Sequence, residues 1–184
     1  MRLACHQPNF FPHLAYFEKM KQVDKFVILA CCQFEKGGYQ NRFRYRNNWY
    51  TMSVSKKTEL INFKKYLYWL EDWERIVSSL KDLNIRFHFE PCIDESLVKT
   101  NCRIIFRIRN LLEIGTEISI QINSENTGTA RLVEICKEQK ADTYLSGPSG
   151  KNYLDLELFD KAGIKVEFQK PSESVPILEH IYGR

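Results

Sequence analysis

Three short polar stretches of this 184-residue chain hold the residue types from which a site could be built. "CHQPNFFPH" presents His6, Gln7 and Asn9 around Pro8. "CCQFEKGGYQNR" presents Cys31, Cys32, Gln33, Lys36, Asn41 and Arg42, and "SGPSGKNY" begins at Ser146 and Gly147. Imidazole titrates near neutral pH, so His6 could act as a general acid or base; the alternative is a ring hydrogen-bonded to a carbonyl at a strand end. Pro8 and Pro12 fix their own φ and push each preceding residue towards extended geometry, which stiffens a loop whose side chains must be aimed. Arg42, Arg44 and Arg46 alternate, so a strand would carry all three guanidinium groups on one face. Such a row can grip phosphate or carboxylate through paired hydrogen bonds, although a solvated sheet face uses the same pattern. In "SGPSGKN", backbone N–H groups and the start of a following helix could hold an anion, while a tight strand-to-helix turn accounts for Gly147, Pro148 and Gly150 without one.

The adjacent Cys31 and Cys32 raise four readings: metal site, disulfide, reactive thiol, or a plain strand end. Of the six cysteines, at 5, 31, 32, 92, 102 and 136, none forms a C-x-x-C pair, and the four histidines lack ligand spacing, so no metal is expected. A reducing cytoplasm disfavours disulfides, which leaves most of these thiols as small buried apolar groups. No Ser-His-Asp order, H-E-x-x-H, G-x-G-x-x-G or phosphate-loop spacing occurs, and no cofactor is expected.

The elements that must position these residues follow from hydrophobic period. Arg2–His6 is a short first strand; Leu14, Phe17, Met20 and Val23 recur as one helix face does; Lys25–Cys31 is a continuous apolar run, as in a strand buried on both faces. Tyr39–Arg46 and Trp49–Ser55 read as a hairpin around "RNN". From Leu60 to Leu83 the apolar spacing is helical, with Tyr66, Tyr68 and Trp69 as extra aromatics for core packing, a ligand wall or a second subunit. The spacing then predicts a helix over Ser96–Gly115, a strand over Glu117–Ile122, a helix over Thr129–Lys140, a strand in "ADTYLSG", a helix over Tyr153–Ala162, a strand in "IKVEFQ" and a last helix in "VPILEHIYGR". Alternation of this kind predicts an α/β fold: one domain over 1–184, a mainly parallel sheet flanked by helices, an added β-hairpin and a long aromatic-rich helix. Ligands of parallel sheets collect at the carboxyl ends of strands, where all three polar loops would lie.

Composition is that of an ordinary globular domain, 43% apolar and 27% charged. A net charge of +4 allows an anionic small ligand but is too weak and dispersed to argue for nucleic acid. No run approaches the ~20 apolar residues of a membrane span and no signal peptide is visible, so the expected location is cytoplasmic.

Taken together and in order, "HQPNFFPHLAYFEKM", "VDKFVILACCQFEKGGYQNR" and "ADTYLSGPSGKNYLDLELFDKAGIKVEF" resemble the WbqC-like family of bacterial proteins, over nearly the whole chain. The resemblance implies a role in surface-polysaccharide and O-antigen biosynthesis: cytoplasmic modification of a nucleotide-linked sugar, or transfer of an acyl or aminoacyl group. It maps the family's polar positions onto His6, Gln7, Pro8, Asn9, Gln33, Lys36, Asn41 and Arg42, and a later block onto Tyr144, Leu145, Ser146, Gly147, Tyr153 and Leu154. Family members often carry aspartates just before the glutamine motif, where this chain has Ala30 and Cys31.

On that footing the leading expectation is a transferase acting on a nucleotide-linked amino sugar. His6 would be the acid–base group, and Cys31 or Cys32 an acyl acceptor. Lys36 and Arg42 would hold phosphates or a carboxylate. Gln7, Asn9, Gln33 and Asn41 would position polar groups, with Tyr144, Ser146 and Gly147 lining the substrate. The implied partners are the nucleotide-linked sugar, an acyl or aminoacyl donor or carrier protein, and a second copy through the aromatic-rich helix. The other expectation is a non-catalytic module that binds a sugar or carrier-bound intermediate for a partner enzyme.

Overall fold

The computed structural model describes residues 1–57, 59–170 and 175–183. Its backbone contacts group the chain into two compact units: one of residues 1–6, 15–29 and 115–173, the other of 7–14, 30–114 and 174–184.

The first unit is a five-stranded parallel sheet with its helices. Strands β1 (Arg2–His6) and β2 (Lys25–Leu29) are joined through helix α1 (Leu14–Lys21). In the same unit follow strand β5 (Glu117–Gln121), helix α5 (Gly128–Glu138), strand β6 (Thr143–Ser146), helix α6 (Leu156–Lys161) and strand β7 (Lys165–Phe168). The order is β5-β2-β1-β6-β7, and every neighbouring pair is parallel. Strands that must bury both faces need continuous apolar sequence, and "FVIL" of β2 is buried throughout. The sheet core is Leu3, Ala4, Phe26, Val27, Ile28, Tyr144 and Leu145, with Phe17 and Met20 from α1 and Phe159 from α6. Asp155 caps α6, its carboxylate accepting from the backbone N–H groups of Glu157 and Leu158.

The second unit holds the antiparallel hairpin β3 (Arg42–Tyr45) and β4 (Asn48–Thr51), with helices α2 (Trp69–Ser79), α3 (Ile85–Phe89), α4 (Leu97–Leu111) and α7 (Ile177–Tyr182). Arg46 and Asn47 both take positive φ, at 44° and 64°, so the hairpin turns in two residues. Its core includes Phe10, Phe11, Phe43, Trp73, Ile76, Phe89, Leu97, Ile104, Ile105 and Ile108. Ser96 caps α4 by accepting from the Lys99 N–H.

The mainly parallel α/β sheet and its hairpin are as the sequence predicts; several boundaries are not. The helix expected over Leu60–Leu83 begins only at Trp69, because the backbone before it pairs elsewhere: Leu60 bridges Gln33, Tyr66 bridges Val54, and Lys65 bridges Ser96. Of its three extra aromatics, Tyr66 is buried, Tyr68 is exposed and Trp69 is half-buried. The helix expected to end at Gly115 stops at Leu111, and Glu113, not the glycine, adopts the left-handed conformation at φ 52°. The row of three arginines loses Arg46 to the hairpin turn, leaving Arg42 and Arg44 on the strand. Helix α3 has no counterpart among the elements that the hydrophobic period predicts. The final helix falls where expected, with Arg184 outside the described residues.

Candidate functional site

Within the parallel sheet the chain moves outward in both directions from β1, to β2 and β5 on one side and to β6 and β7 on the other. The carboxyl ends of β1 and β6 therefore flank the point where the strand order reverses, the usual ligand crevice of such sheets. His6 ends β1 and Ser146 ends β6. The two strands pair Arg2 with Thr143 and Leu3 with Tyr144, and continuing that register sets His6 level with Gly147. The half-buried His6 ring meets Tyr16 of α1 edge-on, centroids 4.7 Å apart.

Not every predicted member of this group faces outward. Tyr144 is buried, stacks on Phe159 at 5.2 Å, and burial holds its phenol well above the ordinary range, so it is a core ring. Ser146 is also buried; its hydroxyl donates to the Gly147 carbonyl at 3.1 Å, and its own carbonyl accepts from the Gln169 N–H at 2.8 Å. Gly150 packs so closely on it that a Cβ there would stand 2.0 Å from Ser146 Oγ. The "SGPSGKN" loop is thus a tight 3-10 turn over Pro148–Asn152.

One unforeseen group lies beneath β1. Lys19 of α1 is 4% exposed, and its ammonium donates to the Cys5 carbonyl at 3.1 Å, one residue before His6. Burial pulls its pKa down to about 8, against a smaller opposing effect from Cys5.

In the second unit the Gln7–Pro8 turn is locked by a buried polar network. Gln40 Nε2 donates to Gln7 Oε1 at 2.6 Å, and Gln40 Oε1 accepts from the Glu35 N–H at 2.8 Å. Asn101 Nδ2 donates to both the Pro8 and the Gln40 carbonyls at 2.7 Å, while its Oδ1 accepts from the Tyr66 hydroxyl at 2.9 Å. Burial raises the Tyr66 phenol well above its ordinary value, with the Asn101 bond opposing, so the hydroxyl remains a donor. Phe10 and Phe11 anchor the loop, meeting Phe43 at 5.5 and 4.8 Å. Phe11 is a bulky residue at φ 46°, a conformation that costs on the order of 1–3 kcal/mol and persists only when its surroundings enforce it.

The second polar stretch divides by role. Asn41 is buried and donates to the Met52 carbonyl at 2.8 Å, which holds β3. Gln33 is exposed and donates to the Glu59 carbonyl at 3.2 Å. Lys36 is exposed. Arg42 donates through Nε to the Gly38 carbonyl at 3.2 Å and through a second nitrogen to the Gly37 carbonyl, and its guanidinium lies 4.2 Å over the Trp49 ring. Gly37, at φ 82°, takes a conformation a side chain would strain. Cys31 is 4% exposed; Cys32 is half-buried, with its carbonyl accepting from the Ile61 N–H. Burial raises the thiols of Cys92, Cys102 and Cys136, the last two to about 12, which fits small apolar packing groups.

Thus His6 stands with Gly147 at the sheet's switch point, and Gln7, Asn41 and Arg42 are fixed within the second unit. Lys19 and Gln40 lie within the stretches that resemble the family but outside the positions given a role there, Tyr66 reads only as an extra aromatic, and Asn101 is a polar residue inside an apolar helical period. Among the described residues no cluster of His, Cys, Asp or Glu is arranged to hold a metal ion.

A family model described as the WbqC-like protein family matches residues 7–177. The chain is also 27% identical over 185 residues to the uncharacterized protein Rv1507c of Mycobacterium tuberculosis, covering 90% of this chain and 80% of the relative. No solved structure matches. The family match runs from the first of the three polar stretches through the last and covers nearly the whole chain: the chain belongs to the WbqC-like protein family.

Proposed function

We propose that this protein is a cytoplasmic transferase of surface-polysaccharide biosynthesis that moves an acyl or aminoacyl group onto a nucleotide-linked amino sugar. The observation that carries this reading is His6 at the carboxyl end of β1, beside the reversal of strand order, on a strand that cannot shift without disturbing the sheet. Its role would be proton transfer. As the sugar amine attacks the carbonyl carbon of an activated acyl donor, the new C–N bond forms and the donor's bond to its leaving group breaks. The proton released by nitrogen passes through the imidazole to the departing group. If a thiol relays the acyl group, exposure favours Cys32 over Cys31.

A second reading, a non-catalytic sugar- or carrier-binding module, draws on the end of β2. Ala30 and Cys31 stand where family members often carry aspartates, and both are buried, at 0% and 4% exposure. The two readings part in one experiment: incubate the protein with a nucleotide-linked amino sugar and a thioester donor, and follow both binding and acylated sugar by mass spectrometry. A transferase forms product, and His6→Ala abolishes turnover while leaving sugar-nucleotide affinity within about threefold. Binding without product, unchanged in His6→Ala, refutes the transferase in favour of the module.

A further inference from the structure

We infer that the outer face of the β3–β4 hairpin is a stacking platform for the base of a nucleoside diphosphate. This deepens the proposed function, since it rests on a nucleotide-linked substrate. In the hairpin register Arg44 is paired directly with Trp49, and Arg42 with Thr51, so Arg42, Arg44 and Trp49 share one face; the other presents Phe43 and Tyr45 to the core. Trp49 is 44% exposed and Tyr39 is 39% exposed, large fractions for such rings, and their centroids are 5.5 Å apart. Arg42 covers one side of the indole at 4.2 Å and is itself fixed by the Gly37 and Gly38 carbonyls. The Tyr39 ring is held in turn by the edge of His13, at 5.1 Å and 88°. The result is a pair of adjoining rings, each in contact with a neighbour and each with exposed area left for a planar ligand.

The surrounding charge selects the ligand class. Among the described residues none of Lys36, Arg42, Arg44 or Arg46 is in an ion pair, although the chain forms such pairs elsewhere. Arg42 is held by the two carbonyls and the indole, Arg44 donates to Asn47 Oδ1 at 2.6 Å and Arg46 lies over the Tyr45 ring, but these partners are neutral, and a neutral sugar or an apolar partner would leave the positive charge of the face uncompensated. A nucleoside diphosphate answers both features: its base stacks on Trp49 and Tyr39, and its phosphates take Lys36 and Arg44. Lys36 adjoins Gly37, whose carbonyl Arg42 grips, so the loop carrying the lysine is tethered to the indole.

The test titrates the native chain, Trp49→Ala, Trp49→Phe and Lys36→Ala/Arg44→Ala with uridine diphosphate, adenosine diphosphate, inorganic pyrophosphate and free N-acetylglucosamine. Calorimetry and tryptophan emission are read together, with far-UV dichroism as the folding control. At least one nucleoside diphosphate binds and quenches the native emission. Trp49→Ala weakens it about 5- to 150-fold, the range for losing one base-stacking ring. Trp49→Phe stays within about fivefold of native, and the double variant flattens the salt dependence. Unchanged nucleotide affinity in Trp49→Ala overturns the platform and leaves the transferase reading standing. So do pyrophosphate binding as tightly as the nucleotides and a Trp49→Ala defect confined to the free sugar. No nucleotide binding by the native chain overturns both.

Discussion

Burying the ammonium of Lys19 should leave a signature in the pH dependence of stability. At 4% exposure its pKa falls from 10.5 to about 8, so the folded state holds the proton less tightly than the unfolded chain does. Between these values the unfolded state binds more protons, and stability therefore rises with pH; below about 8 the full cost of the buried charge is present. Each pKa unit is worth about 1.4 kcal/mol, so the whole cost is roughly 3 kcal/mol, of which about 2.5 is recovered between pH 7 and pH 10. Lys19→Met keeps the side chain's length and removes the charge, but leaves the Cys5 carbonyl without its donor, a loss of about 1–3 kcal/mol that does not vary with pH. The variant should thus lie within about 2 kcal/mol of native at pH 7 and lose ground steadily above pH 8, ending about 2.5 kcal/mol worse relative to its own pH 7 value. Groups common to both proteins cancel in the difference. Urea unfolding followed by far-UV dichroism under reducing conditions is the assay, because it reads the helix that carries Lys19. A difference that stays flat from pH 7 to pH 10 would refute a buried, destabilised ammonium.

Two further outcomes follow from the same geometry. Asn101→Leu strips donors from the Pro8 and Gln40 carbonyls and the acceptor from Tyr66, so it should lower stability by about 3–5 kcal/mol; equal urea midpoints for Asn101→Leu and native would contradict the network. Under native conditions a maleimide reagent should label Cys32 well ahead of Cys92, Cys102 and Cys136, which burial both hides and keeps protonated, and all six should react in urea. Peptide mass spectrometry gives the order, and early labelling of Cys102 or Cys136 would count against the packing described.

Features written in short windows were legible before any fold was known. Alternation of apolar strands with helical periods gave a parallel sheet, and strand parity put Arg42 and Arg44 on one face; the helix expected from Tyr153 starts only at Leu156, where Asp155 caps it. Because the sheet is parallel, placing the three polar loops at carboxyl ends needed nothing further. Tertiary structure alone decided what depends on distant partners. It set β1 between β2 and β6, which brings His6 to the reversal of strand order. It broke the α-helical period of 60–68, where the backbone bridges Gln33, Val54 and Ser96 and only Ile61–Phe63 keeps a 3-10 turn. It turned Asn101, 93 residues from Pro8, into the support of the first motif. A local period reports which face of an element is apolar; it is blind to which remote carbonyl a buried amide must satisfy, as Asn101 does for Pro8 and Gln40.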